Sequence, residues 1–302
     1  MTVTKLDAAA HRRWLGKTMA LSCGLWEGTN DLDTAQLAKF GLLSDWAEVT
    51  AQPRVLDVGS GYGGLLSYLS RERGVAAACG VDASDHACRE AEGLRLPGVT
   101  IHQGDYRAFT PDRPYDAVVS IGLLENVDGT PDPYAEFFAH AHAWTRPGAR
   151  LALESTIRGH SESWPAEAAR YVEAMRRLRL TGTVLTLDRL LAACGRWWEP
   201  IHVRTHRDDY ARTFATWATQ LRGCCDRLGS VERDETTLAD WLDFTTTGMA
   251  LFQQGALSVA HLGLRRIDQP TRPPTAPGSA GVKTPGPRPG PRAPRSDIAR
   301  IR

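Results

Sequence analysis

The chain has 302 residues, 42% of them hydrophobic and 24% charged, which suits one large globular domain or one domain with a cap. A formal net charge of +1 gives no basic excess of the kind a nucleic-acid partner calls for. No apolar run approaches the ~20 residues of a membrane span, no apolar segment follows Met1–Ala8, and the six cysteines show no paired spacing. The composition therefore predicts a protein of a reducing cytoplasm, without secretion leader, stable membrane insertion or disulfide framework.

Residues 1–50 read as mainly helical. From residue 51 to 267 the pattern predicts one α/β domain. Arg54–Val58 is a β run ending at Gly59, and Tyr62, Leu65, Leu66 and Leu69 then recur on one helix face. Ala77–Val81 is a second strand ending at Asp82, and Ser84 is placed to cap the helix that follows. Val99–Gln103, Ala117–Ile121 and Ala149–Glu154 complete five strands, with Pro97-Gly98 and Pro147-Gly148 before the third and fifth. Strand–helix alternation of this kind means a parallel sheet with helices on both faces. Residues 158–195 read as an inserted helical cap, with Tyr171, Met175 and Leu178 at helical spacing. A strand from Trp198, helices around Tyr210–Leu221 and Leu238–Gln253, and a closing strand at Ala256–Leu264 follow. The tail Asp268–Arg302 holds half of the 18 prolines and few apolar side chains. It reads as disordered, with a Pro-rich partner ligand as the alternative.

Val55-Leu56-Asp57-Val58-Gly59-Ser60-Gly61-Tyr62-Gly63-Gly64 carries the strongest chemical signal. Glycines after a strand permit positive φ and close ligand approach, and the next helix N-terminus offers free N–H groups to a carboxylate. Asp82, with Ala83 beside it, ends the next strand, where an acid can accept from both ribose hydroxyls. Asp105 ends the third, placed for an adenine amino group with Tyr106 beside the ring. A nicotinamide enzyme shares the glycine loop and the acid. Gly104-Asp105-Tyr106 suits adenine better than pyrophosphate, and the three ordered acids point to S-adenosylmethionine (SAM). No histidine or cysteine spacing supports a metal site. His202 and His206 fall on strand and loop, and His140 and His142 point to different sides of a helix.

Several further segments resemble the cyclopropane fatty acid synthase and mycolic acid methyltransferase family. Ser22-Cys23-Gly24-Leu25-Trp26 is similar to its Ser-Cys-Ala-x-Trp loop, and Leu32–Lys39 to its Leu-x-x-Ala-Gln-x-Ala-Lys helix. Val119–Glu125 follows Val-Ser-x-Gly-x-x-Glu, and Asp209-Tyr210 with Thr213 and Trp217 follows Asp-Tyr-x-x-Thr and Ala-Trp. The resemblance covers roughly residues 19–265. It implies a Rossmann-like class I methyltransferase with a mostly parallel seven-stranded sheet and N-terminal helices. It also implies that a loop within residues 1–50 covers substrate and SAM. SAM contacts carried over are Ser22, Gly59, Gly61, Asp82, Tyr106 and Ile121, beside Asp57, Ser60, Ala83 and Asp105 from the strand ends.

In that family an alkene attacks the sulfonium methyl and a caged bicarbonate takes a proton from the cation. Cys23, Glu125 and Tyr210 match three cage positions. Two positions depart. Asn126 follows Glu125 where the family has His, and Glu154 stands about where it has the His of Leu-Leu-His-Thr-Ile. Two carboxylates would repel bicarbonate, so an intact anion cage is not expected and Glu154 becomes the candidate base. Each residue has a plainer alternative: Cys23 as packing, Glu154 as a surface carboxylate, Tyr210 as a core hydrogen bonder, the tryptophans as core with one or two in the pocket. The expected activity is C-methyl or methylene transfer to an alkene-bearing small-molecule or acyl acceptor. N-methylation of a small amine is the alternative, and a silent SAM-binding protein the reading from another class.

Overall fold

Seven extended segments assemble into one sheet: β1 (Arg54–Val58), β2 (Ala77–Asp82), β3 (Val99–Gln103), β4 (Tyr115–Ile121), β5 (Thr145–Arg158), β6 (Trp198–Thr205) and β7 (Leu257–Arg266). The computed structural model describes residues 8–50, 53–130, 132–159, 164–180, 182–227 and 235–270. Strand order is β3-β2-β1-β4-β5-β7-β6. The pairs from β3 through β5 are parallel, whereas β7 runs antiparallel to both neighbours. A dinucleotide fold has the order 3-2-1-4-5-6. The reversed strand wedged before the edge sets this sheet apart from it.

The short strands fall where their β runs predict, and β5 is much longer than Ala149–Glu154. Its length comes from β7, which pairs with it from Arg150 opposite Arg265 to Arg158 opposite Leu257. That partner lies about a hundred residues away, beyond the reach of local periodicity.

The helices are α1 (Ala8–Leu15), α2 (Leu32–Trp46), α3 (Gly64–Arg71), α4 (Asp85–Gly93), α5 (Pro133–Ala143), α6 (Glu167–Arg177), α7 (Leu187–Cys194), α8 (Arg207–Arg227) and α9 (Glu235–Gln253). Asp31, Ser84 and Asp132 cap α2, α4 and α5 by accepting from the N–H three residues on. Tyr62 lies before α3, not on it, because Gly63 is left-handed at φ 81° and starts the helix one residue later.

Apolar side chains pack into separate cores on the two sides of the sheet and under the N-terminal helices. Trp14 of α1 stands edge-on to Trp217 of α8 and 4.9 Å from Trp241 of α9, so the N-terminal helix is fastened to these two late helices. The expected cap divides. Tyr171, Ala174 and Leu178 of the α6 region join the core of α1, α8 and α9, whereas Leu190 and Cys194 of α7 join the core of α5 and β5. Only the first part, ending before α7, contributes side chains to the cavity described below. Near the last described residue, Asp268 pairs with Arg266 at 2.7 Å and accepts from Gly148 N at 3.3 Å. The remainder of the predicted tail, 271–302, lies outside the described residues. Among the described residues no helix is long and apolar enough to cross a membrane.

Candidate active site

A cavity of about 380 Å³ opens where the loops after β1, β2, β3 and β4 meet the loop before α2. This is the carboxyl-end crevice at which open α/β sheets bind ligands. Asp57, Gly59, Ser60, Gly61, Asp82, Ala83, Asp105, Tyr106, Ile121, Ser22, Glu125 and Tyr210 all line it. Cys23 and Glu154 do not.

The glycine loop is left-handed at Gly59 (φ 80°) and Gly61 (φ 52°), a region that disfavours a Cβ. Behind it, a Cβ on Gly80 would lie 2.6 Å from Ser60 Oγ and 2.7 Å from Leu66, so β2 and the loop close on one another without room for a side chain. Asp82 is fixed at both oxygens: Gly61 N donates to Oδ2 and Ser84 N to Oδ1, each at 2.8 Å. Each oxygen keeps a second lone pair for a ligand hydroxyl. Asp57, 2% exposed, is pushed up to about 8 by burial and then by Asp82. Tyr106 is buried and its phenol pushed up to about 12, chiefly by burial, while Asp105 is held by Arg107 N at 2.9 Å and Arg107 Nη1 at 3.1 Å. A left-handed glycine loop, a two-point-anchored acid and a tyrosine beside a third acid fit an adenosyl cofactor, so these residues would hold SAM.

Beyond them the cavity changes character. Tyr171, Met175, Leu180, Tyr210 and Phe244 form its walls, with Tyr171 stacked on Phe244 at 5.3 Å. Arg107 alone among the lining residues is Lys, Arg or His, and it is tied to Asp105 and to Glu136 at 3.0 Å. Glu125 sits here on the turn after β4, in a short 3-10 helix entered through Gly122 at φ 68°. Thr156 Oγ1 donates to its Oε1 at 3.0 Å, Thr156 N at 3.3 Å, and Ser155 Oγ to Oε2 at 3.4 Å. Burial outweighs those donors and pushes the Glu125 carboxyl up to about 7, with Glu154 adding to the rise.

Three sequence expectations are corrected. Glu154 is neither a surface carboxylate nor a wall of the cavity. It is 1% exposed, accepts from Cys23 N at 3.0 Å, lies 2.8 Å from His261 Nε2 and 4.0 Å from Lys39 Nζ. Burial opposes its charge, yet Lys39 and His261 hold the carboxyl below its ordinary range. It has no access to an acceptor. Setting Thr156-Ile157 on the Thr-Ile of the family pattern puts Ser155, not Glu154, in the His place. The second correction is Cys23, whose Sγ faces Gly24 O and His206 O outside the cavity and whose thiol burial pushes far up. Without Cys23, without a His at 155 or 126 and without an available cation, these residues do not fit a bicarbonate cage. The third is the tryptophans: none lines the cavity, and Phe244, Tyr171 and Tyr210 do instead.

Sequence reading missed Thr156, Phe244, Lys39 and His261 as site-forming residues. It also missed Gly182, where a Cβ would lie 2.1 Å from Glu125 O and 2.7 Å from Glu125 C. Tyr134 Oη donates to the neighbouring Thr183 O at 2.6 Å, so the segment after α6 is pressed against the backbone that carries Glu125. Gly182→Ala must displace that backbone. A displacement near 1 Å costs on the order of 10²-fold in rate, so we expect turnover to fall at least ~tenfold while SAM affinity by calorimetry stays within about twofold. Equal turnover would show that the segment yields instead.

Comparison with known proteins agrees with this architecture. The chain is 27% identical over 261 residues to a Pseudomonas putida protein named "Probable fatty acid methyltransferase", covering 83% of this chain and 64% of that one. It thus spans less than two thirds of that relative's length. It is 28% identical over 117 residues, 37% of this chain and 33% of the other, to an (S)-tetrahydroprotoberberine N-methyltransferase of Eschscholzia californica. The solved cyclopropane synthase MmaA2 of Mycobacterium tuberculosis superposes with a TM-score of 0.79 at 21% identity, covering 86% of this chain and 95% of that one, and shares the class I methyltransferase fold. The family model described as mycolic acid cyclopropane synthetase matches residues 6–262, from before α1 into β7. On that match, and on a sheet and cavity that agree with it, the chain belongs to the mycolic acid cyclopropane synthetase family.

Proposed function

We propose that the chain is a SAM-dependent methyltransferase that adds a methyl or methylene carbon to an alkene-bearing small-molecule or acyl acceptor, with Glu125 as the base. The observation that carries this reading is one buried carboxyl, raised to about 7, in a cavity end walled by Tyr171, Met175, Leu180, Tyr210 and Phe244. SAM, when bound, supplies the electrophilic methyl. Aromatic faces favour a cation placed against them, and an anionic headgroup would find no free cation among the lining residues. Glu125 accepts a proton from a carbon other than the cationic centre of the intermediate. If that proton comes from the transferred carbon, the released C–H pair closes a three-membered ring. If it comes from a neighbouring carbon, the pair forms a new alkene beside a methyl branch.

The Eschscholzia californica relative supports a second reading, in which Glu125 takes the proton of an amine and the nitrogen receives the methyl. Mass spectrometry with trideuteriomethyl SAM separates them. Offered a panel of alkenes and amines, the enzyme should form products on alkenes, with two deuteriums retained in a cyclopropane or three in a methyl branch. Products on amines alone, each with three deuteriums, would replace the alkene reading with N-methylation.

A further inference from the structure

The middle of the loop between α1 and α2, residues 19–26, is irregular and largely buried, and its polar groups are met by side chains from other elements. Gln36 Nε2 donates to Ser22 O at 2.8 Å, Glu154 accepts from Cys23 N, Thr213 Oγ1 accepts from Gly24 N at 3.0 Å, and Asp209 Oδ1 accepts from Trp26 N at 3.0 Å. One partner is unusual. Lys39 of α2 is wholly buried and donates its Nζ to Ser22 Oγ. Its ammonium is also 4.0 Å from Glu154, which His261 holds from β7, directly opposite in the strand register. Burial pulls the Lys39 ammonium down, and Glu154 opposes that pull.

Ser22 lines the cavity, and Lys39 does not. A hydroxyl that accepts from a cation keeps its own hydrogen for another acceptor. The charge behind it also makes it a stronger donor. The loop lies at the glycine-loop end: a Cβ on Gly64, the first residue of α3, would be 2.3 Å from Thr18 O, and one on Gly122 would be 3.8 Å from Ser22 Cβ. The N-terminus of α3 is at that end.

We propose that Lys39 is a positioning residue for the cofactor's aminoacyl group, acting through the Ser22 hydroxyl and held in place by Glu154 and His261. This assigns Glu154 a task in binding, not in proton removal, and does not depend on which acceptor is methylated.

Calorimetry with SAM, S-adenosylhomocysteine and methylthioadenosine tests it, since the last has the adenosyl but lacks the aminoacyl group. Lys39→Met should weaken SAM and S-adenosylhomocysteine at least ~tenfold and methylthioadenosine by less than about twofold, a split that general loss of the loop would not give. Ser22→Ala should act in the same direction, and adding Lys39→Met to it should cost little more, because the two act in series. Removing one partner of a buried pair can unfold a protein. If Lys39→Met lowers the melting temperature sharply, Lys39→Met with Glu154→Leu removes both charges and is read instead. Unchanged SAM affinity in the folded variant, or equal weakening of all three ligands, would overturn the proposal.

Discussion

Glu125→Gln should lower turnover by about 10²–10⁴, the usual worth of a positioned acid–base group, while SAM affinity by calorimetry stays within about twofold. The amide keeps the shape and can still accept from Thr156 Oγ1, but it takes no proton. The same substitution should alter the pH dependence of stability, and the sign follows from the direction of the shift. The folded Glu125 carboxyl titrates near about 7, above the ordinary value of 4.5. Between those values the folded chain holds a proton that the unfolded chain has released. Its contribution is present in full below the ordinary value and is lost as pH rises through about 7. The wild-type melting temperature should therefore fall relative to that of Glu125→Gln as pH rises across that window. A constant difference between the two proteins would mean that Glu125 has no raised pKa.

Asp82→Ala should weaken SAM at least ~tenfold, and with two ligand hydrogen bonds to a charged acceptor lost, each about 1.5–3 kcal/mol, the loss should not exceed about 10⁴-fold. The effect has a second source. Asp82 holds the glycine loop through Gly61 N and the start of α4 through Ser84 N, so its loss also frees two backbone donors. Asp82→Asn keeps one acceptor oxygen and should fall between wild type and alanine. An unchanged dissociation constant for Asp82→Ala would remove the ribose role.

What could be read from sequence was local. Glycines immediately after an apolar strand, an acid ending the next strand and Ser84 three residues before Ala87 are contiguous patterns, and they sit where expected. Gly59-Ser60-Gly61-Tyr62-Gly63-Gly64 also satisfies the dinucleotide spacing, so the loop alone did not discriminate. The three ordered acids did, and the position of β7 agrees. Glu154 failed because a motif offset of one residue moves its role to Ser155, and the bonds of Ser155 and Thr156 to Glu125 show which residues of the strand face that carboxylate. Lys39 and His261 were invisible for another reason. Their shared partner Glu154 lies 107 residues from His261 and further still from Lys39, and no periodicity carries such distances. Phe244 reads as one more apolar position of a long helix until α9 is seen to bring it against Tyr171.

The most direct test of Glu125 as the base is the pH profile of kcat/KM in bicarbonate-free buffer, from about pH 5 to about pH 9. Ionised Glu125 must act without a recruited anion. The rate should rise about tenfold per pH unit below about 7, reach a plateau above it, and not respond to added bicarbonate. A flat profile, or activity that appears only when bicarbonate is restored, would contradict this.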